Sequence, residues 1–510
     1  MSLCKVSIFP YNYEVQCEAG DTLLSVINRA GAPLPTPCGG KGICGKCRVA
    51  AQGALSPPAE EELSFCSNAE EHLACKTKVL GEARVTLQPQ QNPCYYKLPV
   101  FSTNDAFAFA VDLGTTVIEV FAVNLTSGKA YKAASFMNPQ RIFGYDVISR
   151  IQAADKNAAS LTSSLRSAVA AAVNDAAARA GVSGVGPERI VIAGNTAMCC
   201  FFAGEDVSSL GAFPYSMPTE NFDILPAKSL GFDMPTDTPV YILPAAAGFI
   251  GGDITGALAL YDAAGLRDGF FFIDMGTNGE MFLRTGETIS AISCAMGPAL
   301  EGMNINCGMT ASEDAALRAI DAGDELVLET SGGEKAKGIC GTALIDALAI
   351  MVERGLLDPS GKFIQEKETQ FANAYFTDSG FLIDETVLIT QKDVRNVQLA
   401  KAACLAGARL LFEKSGAAPE DIKLAAIAGS LGSGLNIKHF NTLGFLPLFA
   451  NAKTILTGNT CIAAAIRCCA EPDFFAQVQK LRRRINVIEP AADSRFNELF
   501  LQAFDFVPAI

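Results

Sequence analysis

Apolar and polar positions follow two rhythms along this chain, and one set of them occurs twice. Phe109-Ala110-Val111-Asp112-Leu113-Gly114-Thr115-Thr116 is an apolar strand that ends in Asp-x-Gly-Thr, and Phe271-Phe272-Ile273-Asp274-Met275-Gly276-Thr277-Asn278 repeats it. Each run continues into a second strand (117–125 and 280–284), then turns at Ser127-Gly128 or Thr285-Gly286 into a third. Further on, a helical period takes over: Leu161, Leu165, Val169 and Val173 recur every four residues, and Val394, Val397, Cys404 and Leu411 lie near one stripe. Both helices lead to a Pro-Glu turn and an apolar strand that ends in glycine, Val191-Ile192-Ala193-Gly194-Asn195 and Ala425-Ala426-Ile427-Ala428-Gly429-Ser430. Each half therefore reads as a three-strand meander, helices, and a strand–Gly–helix unit, the signature of an internal duplication.

The first ninety residues have a different pattern. Lys5 to Pro10 and Tyr13 to Cys17 alternate as a hairpin. Asp21 is the expected N-cap of a helix over 22–28. Glu60-Glu61-Glu62-Leu63 starts a short acidic helix, His72 reads as a solvated helix residue, and strands follow over 75–80 and 83–87. Between them lies Pro37-Cys38-Gly39-Gly40-Lys41-Gly42-Ile43-Cys44-Gly45-Lys46-Cys47, too rich in glycine for a helix or strand and suited to wrapping a small group. With Cys75 the spacing is C-x5-C-x2-C and a distant cysteine, close to that of [2Fe–2S] proteins. A zinc ribbon needs two close cysteine pairs and only Cys44 and Cys47 form one. Cys66 is the rival of Cys75 as fourth ligand. The polar, proline-bearing stretch from Gln88 opens a linker over 89–105, about 17 residues.

The two Asp-x-Gly-Thr turns have their own chemistry. Each sets a carboxylate beside backbone N–H groups and a hydroxyl. The N–H groups and hydroxyl can hold phosphate oxygens, and the aspartate can hold Mg²⁺ or orient an attacking water. Two turns in register suggest a clamp on one triphosphate, with Gly429 and Ser430 at a strand end where a base or ribose fits.

Composition narrows the partners. A net charge of −14 leaves no basic field for nucleic acid or anionic lipid. No apolar stretch is long enough to predict a membrane span, and the first residues lack a secretory pattern, so a cytoplasmic protein is expected. Seventeen cysteines scattered over 510 residues point to a reducing compartment, with those outside the motif serving as small apolar residues. Val240 to Gly256 reads either as a docking surface or as a Gly-rich entry to a core helix, and Lys480 to Arg484 as a solvated helix end.

Residues 1–88 resemble a plant- or adrenodoxin-type ferredoxin, and residues 106–470 resemble the sugar-kinase, actin and chaperone superfamily called ASKHA. The implied fold is an α+β β-grasp ferredoxin domain (1–88), a linker (89–105), and two α/β RNase H-like lobes (106–265 and 266–510, the second with a C-terminal extension). The resemblance implies that Asp112, Gly114, Thr115 and Thr116 form the first phosphate motif, Asp274, Gly276, Thr277 and Asn278 the second, and Gly429 and Ser430 the adenosine motif. Ser430 stands where the superfamily often has a second glycine. Asn195 and Glu301 are further cleft candidates, a core or loop role being as plausible for each.

Four longer runs, Asn138 to Arg150, Gly194 to Met198, Gly297 to Gly302 and Gly338 to Asp346, together with the cysteine loop, resemble the reductive activators of corrinoid proteins over nearly the whole chain. That implies a [2Fe–2S] cluster on Cys38, Cys44, Cys47 and Cys75, ATP with Mg²⁺, a low-potential electron donor, and a corrinoid protein of a methyltransferase system as partner, its Co(II) reduced to Co(I). A homodimer stays open. The alternatives are a redox-sensing small-molecule kinase, an activator ATPase of a different redox enzyme, and an electron carrier with a regulatory nucleotide site.

Overall fold

A computed structural model describes the chain from residue 3 to 507 except residues 10–12, 31, 33, 35, 37–39, 41, 43, 44, 46, 63, 64, 67–69, 88–93, 145, 220, 221, 223, 236, 366–370, 430, 432, 433, 448 and 450. It forms two compact units, Met1–Leu243 with Ala465–Asp473, and Pro244–Ala464 with Phe474–Ile510.

The first unit opens with a five-stranded sheet in the order Tyr13–Glu18, Leu3–Phe9, Val79–Thr86, Arg48–Leu55, Glu71–Leu73. Alternation along Leu3–Phe9 sends Cys4, Val6 and Ile8 inward onto the helix Leu23–Arg29. That helix is capped by Thr22, whose Oγ1 accepts from Ser25 N at 3.2 Å. The expected cap, Asp21, lies one residue too early; its carboxylate takes Glu18 N–H and the Arg29 guanidinium instead. Two other expectations also change here. Residues 74–76 form a turn closed by Lys76 N and Thr77 N on Leu73 O, so one strand, Val79–Thr86, replaces the two expected. His72 is not on a solvated helix: it is buried on the edge strand, with Nδ1 3.7 Å from Glu62 Oε1.

The second part of this unit is a seven-stranded sheet. Phe107–Leu113, Val117–Asn124 and Lys129–Met137 form the antiparallel meander, and Ile190–Ala193 and then Pro239–Ile242 add in parallel beside the first strand. Helix Val147–Arg179 covers the sheet. Leu161, Leu165, Val169 and Val173 are all fully buried, and each such side chain contributes about 1.5–3 kcal/mol relative to exposure.

Part of the expected linker is fastened to this sheet. Cys94 and Tyr95 pair with Ser135 and Ala134 as a seventh, edge strand. Arg179 lies over the Tyr95 ring, donates to Tyr96 O and Ala133 O, and Phe101 N bonds Ala180 O at 2.9 Å. Between Leu87, which bonds Phe9 O, and Cys94 run seven Cα steps, which can reach at most about 25 Å.

The second unit repeats the plan. Phe270–Met275, Asn278–Thr285 and Thr288–Ala295 form its meander, with Leu424–Ala428 and Lys453–Gly458 added in parallel beside the first strand and Ile485–Ile488 beside the third. Its core lies between this sheet and the helices Gly341–Glu353 and Gln391–Ser415; Val394, Val397, Cys404 and Leu411 are all buried. A capping box of Thr390 and Asp393 starts the second of these helices. Gly252–Ala263 is a largely buried helix, which favours the core-entry reading of Val240 to Gly256. Arg482 is buried and donates to Ala245 O at 3.1 Å, so the basic run around it is only partly solvated. No helix is long and apolar enough to cross a membrane among the described residues.

Candidate cluster and phosphate sites

The cysteine site begins at the end of the glycine-rich loop. Cys38 and Cys44 lie outside the described residues. Cys47 and Cys75 are buried and face each other, Sγ to Sγ at 3.3 Å. Two sulfurs on one tetrahedral ion with bonds of about 2.3 Å would be about 3.8 Å apart, against about 2.05 Å in a disulfide. The spacing therefore suits two thiolates on one iron. The Cys47 sulfur holds the Cys75 thiol down at about 7 against the upward push of burial, with help from the Lys76 ammonium and the N–H groups of Cys75 and Gly42. That favours the thiolate, the form that binds metal. Gly45 has φ +65°, and a Cβ there would sit 2.4 Å from Phe65 Cδ1, so the loop closes onto the Phe65 ring only with glycine.

Glu62 locks this region. It is 1 % exposed; Oε1 accepts from Leu73 N (2.8 Å) and Thr77 Oγ1 (2.7 Å), and Oε2 from Ala59 N (2.6 Å). The acidic run expected as a helix thus places one carboxylate under the turn that presents Cys75. Cys66 is half-buried; burial and then Glu62 and Glu71 push its thiol up.

The first Asp-x-Gly-Thr turn is held from three sides. Asp112 pairs with Ala193 in parallel and with Glu119 across the antiparallel ladder. Gly114 passes so close to Val117 that a Cβ would lie 2.3 Å from its carbonyl oxygen. Asn138 Nδ2 donates to Gly114 O (2.9 Å), the fully buried Arg150 donates through Nη2 to Thr115 O (2.7 Å), and Asn195 Nδ2 donates to Thr115 Oγ1 (2.9 Å). Asn195 also caps helix Thr196–Ala203 by accepting from Met198 N at 3.0 Å. Thr116 O takes Asn138 N–H at 2.9 Å.

The second turn repeats the frame with different side chains. Asp274 pairs with Ala428 in parallel and with Glu280 across the ladder, the register of Asp112. Gly276 N bonds Asn278 O at 3.0 Å, and Thr277 Oγ1 donates to Glu301 Oε1 at 2.7 Å. Glu301 ends the 3₁₀ turn Pro298–Glu301, which follows the third strand as Pro139–Ile142 does in the first unit. The cross-strand glutamates differ. Glu119 is paired with Lys132, whereas burial, then Asp253 and Asp274, push the Glu280 carboxyl well up, opposed by a bond from the Asn278 side chain.

Gly429 packs on this turn. Its φ is +91°, and a Cβ would lie 2.4 Å from Met275 O and 2.6 Å from Asp274 Oδ1. Ser430 lies outside the described residues. Gly429→Ala is expected to destabilise the second unit by roughly 2–4 kcal/mol, the sum of left-handed strain and overpacking, and to displace the Asp274 carboxylate. Urea unfolding and ATP turnover check this: a variant with wild-type values of both would mean that the glycine is a passive turn.

Sequence reasoning missed Glu62, Asn138, Arg150 and Glu280. Asn138 and Arg150 fall within the run Asn138 to Arg150, but nothing in it distinguishes the turn-holding residues. Glu280 and Glu119 could have been found by counting across the meander from each aspartate.

A pair of facing cysteine thiols on a ferredoxin-type sheet, followed by a duplicated three-strand, Asp-turn frame, is the domain order of a ferredoxin unit fused to an ASKHA-type fold. Three family profiles match in order: a 2Fe-2S iron-sulfur cluster binding domain over residues 6–80, the RACo middle region over 107–264, and the C-terminal domain of RACo, the ASKHA domain, over 268–509. The last two profiles both describe RACo proteins, and together with the first they span this chain from residue 6 to 509. The corrinoid activation enzyme RamQ of Eubacterium limosum is 28 % identical over 78 % of this chain and 69 % of its own length. The [Co(II) methylated amine-specific corrinoid protein] reductase of Methanosarcina barkeri is 26 % identical over 62 % of each chain. A solved reductive activator for corrinoid, iron-sulfur protein superposes with a TM-score of 0.71 at 25 % identity, covering 99 % of this chain and 98 % of its own.

Proposed function

We propose that this protein carries out the ATP-dependent reductive activation of a corrinoid protein, delivering one electron to Co(II) and regenerating Co(I) in a methyl-transfer system. The observation that carries the reading is the union, in one chain, of a facing thiol pair with two separately buttressed Asp-x-Gly-Thr turns. A plant-type cluster bound at Cys38, Cys44, Cys47 and Cys75 supplies a single electron near about −400 mV. Co(I) corrinoids are hard to reach from such a potential, so the transfer needs coupling to a second free-energy source. ATP held by Gly114, Thr115 and Thr116 and by Gly276, Thr277 and Asn278, with Gly429 and Ser430 at the base, provides it by favouring one conformation of the complex. Asp112 and Asp274 hold Mg²⁺ or its waters and orient the attacking water.

The electron enters from a low-potential donor in the cytoplasm. The domain limits that go with this reading are 1–88, 106–265 and 266–510, with 89–105 as tether. The short chain length between Leu87 and Cys94 limits the ferredoxin domain to a corrinoid partner docked within its reach.

The test mixes reduced protein, ATP and a Co(II) corrinoid protein and follows the Co(I) absorption band. Co(I) should appear only with ATP. Asp112→Ala and Asp274→Ala should abolish ATP turnover and leave the cluster spectrum intact. Equal Co(I) formation without ATP would remove the activase reading.

A further inference from the structure

The duplicated turns share a backbone plan, but their threonine hydroxyls are wired in opposite directions. In the first turn, Asn195 uses Oδ1 to accept from Met198 N, so the group facing Thr115 is its amide nitrogen, a donor only. Thr115 Oγ1 accepts, and its own proton stays available for another acceptor. In the second turn the partner is Glu301. An ionised carboxylate has no proton to give, so Thr277 donates to it and presents only lone pairs. The surroundings agree. The first turn has Arg150 on Thr115 O and Lys132 on Glu119, both cationic. The second has the Glu301 carboxylate on Thr277.

Resting on the nucleotide reading above, we infer that the two turns have divided the work. Thr115, in the first unit, is set to donate to a phosphate oxygen, and Thr277, in the second, to accept from a magnesium-bound water. Asn195 and Glu301 are then positioning residues, each setting the polarity of one hydroxyl. The sequence shows the two turns as equivalent, and the difference comes from side chains that lie 80 and 24 positions away.

Calorimetric titration of the full-length protein with ATP, once with Mg²⁺ and once with EDTA, tests this. The quantity read is the ratio of the two dissociation constants. Thr115→Val should weaken binding about tenfold under both conditions and leave the ratio unchanged, as expected for loss of one charge-assisted hydrogen bond. Asn195→Asp retains the helix cap but takes the Thr115 proton, and should reproduce that pattern. Glu301→Gln gives Thr277 an amide donor and should leave Mg²⁺-free binding unchanged while shrinking the ratio about tenfold. Thr277→Val, nearly isosteric, should do the same if the Glu301 variant does not fold. The division of labour is overturned if Thr115→Val shrinks the ratio, or if the Glu301 and Thr277 variants weaken binding equally with and without Mg²⁺. Wild-type protein that takes up no ATP under either condition would overturn the nucleotide reading itself, a result distinct from either ratio pattern.

Discussion

Cys75→Ser is expected to abolish the visible absorbance of the iron–sulfur centre and, with it, every trace of corrinoid reduction, whereas Cys66→Ser should leave both unchanged. The reason is geometric. Cys75 meets Cys47 at 3.3 Å from a turn that Glu62 fastens by two hydrogen bonds, at Leu73 N and Thr77 Oγ1. A serine oxygen there would present a harder, far less acidic ligand where the softer thiolate is already favoured at about 7. Cys66 has the opposite setting, with its thiol pushed up by burial and two nearby carboxylates. Absorption and EPR spectra of the two purified variants decide between them. A Cys66 variant that loses its spectrum beside a Cys75 variant that keeps it would move the fourth ligand and discard the assignment. ATP turnover in the Cys75 variant should survive, because Asn138, Arg150, Asn195 and Glu301 hold the two phosphate turns whereas Glu62 holds the Cys75 turn.

The duplication was legible because it is written in local pattern. An apolar strand that stops at aspartate and glycine has few ways to continue, and the same stop occurs twice with the same downstream order. Register then follows: Asp112 opposite Ala193 and Asp274 opposite Ala428. The ferredoxin unit was legible for a related reason, since few arrangements other than an iron–sulfur loop place three cysteines and four glycines in eleven positions.

The groups that act across long separations were not legible. His72 looked like a solvated residue in an acidic stretch because nothing local reveals that Glu62 folds inward beneath it. The tether looked free because Cys94 and Tyr95 have no strand pattern of their own; they pair only because Lys129–Met137 leaves its outer edge open and Arg179 closes over the Tyr95 ring. Such contacts depend on which surfaces meet after folding, and a periodicity argument cannot see them.

The largest effect on the nucleotide side is expected from Arg150→Ala. Arg150 is 0 % exposed and lies under the first turn, giving Nη2 to Thr115 O (2.7 Å) and Nε to Gly144 O (2.8 Å), with Nη1 3.2 Å from Met198 Sδ. Alanine leaves a cavity, and the buried Gly144 carbonyl and the part-buried Thr115 carbonyl lose a charged donor, a cost of roughly 3–5 kcal/mol. The same change frees the Thr115 carbonyl to turn toward the phosphate side, where its partial negative charge opposes the nucleotide. The expected result is loss of measurable ATP binding, a lower urea midpoint for the first unit, and an unaltered cluster spectrum. Arg150→Lys separates the two contributions. Its ammonium restores a positive charge but not the fork that reaches Thr115 and Gly144 together, so it should recover part of the stability and little of the ATP affinity. If the lysine variant binds ATP as the wild type does, only charge is needed at this position, and the hydrogen bond to Thr115 O does not hold the turn in its binding shape.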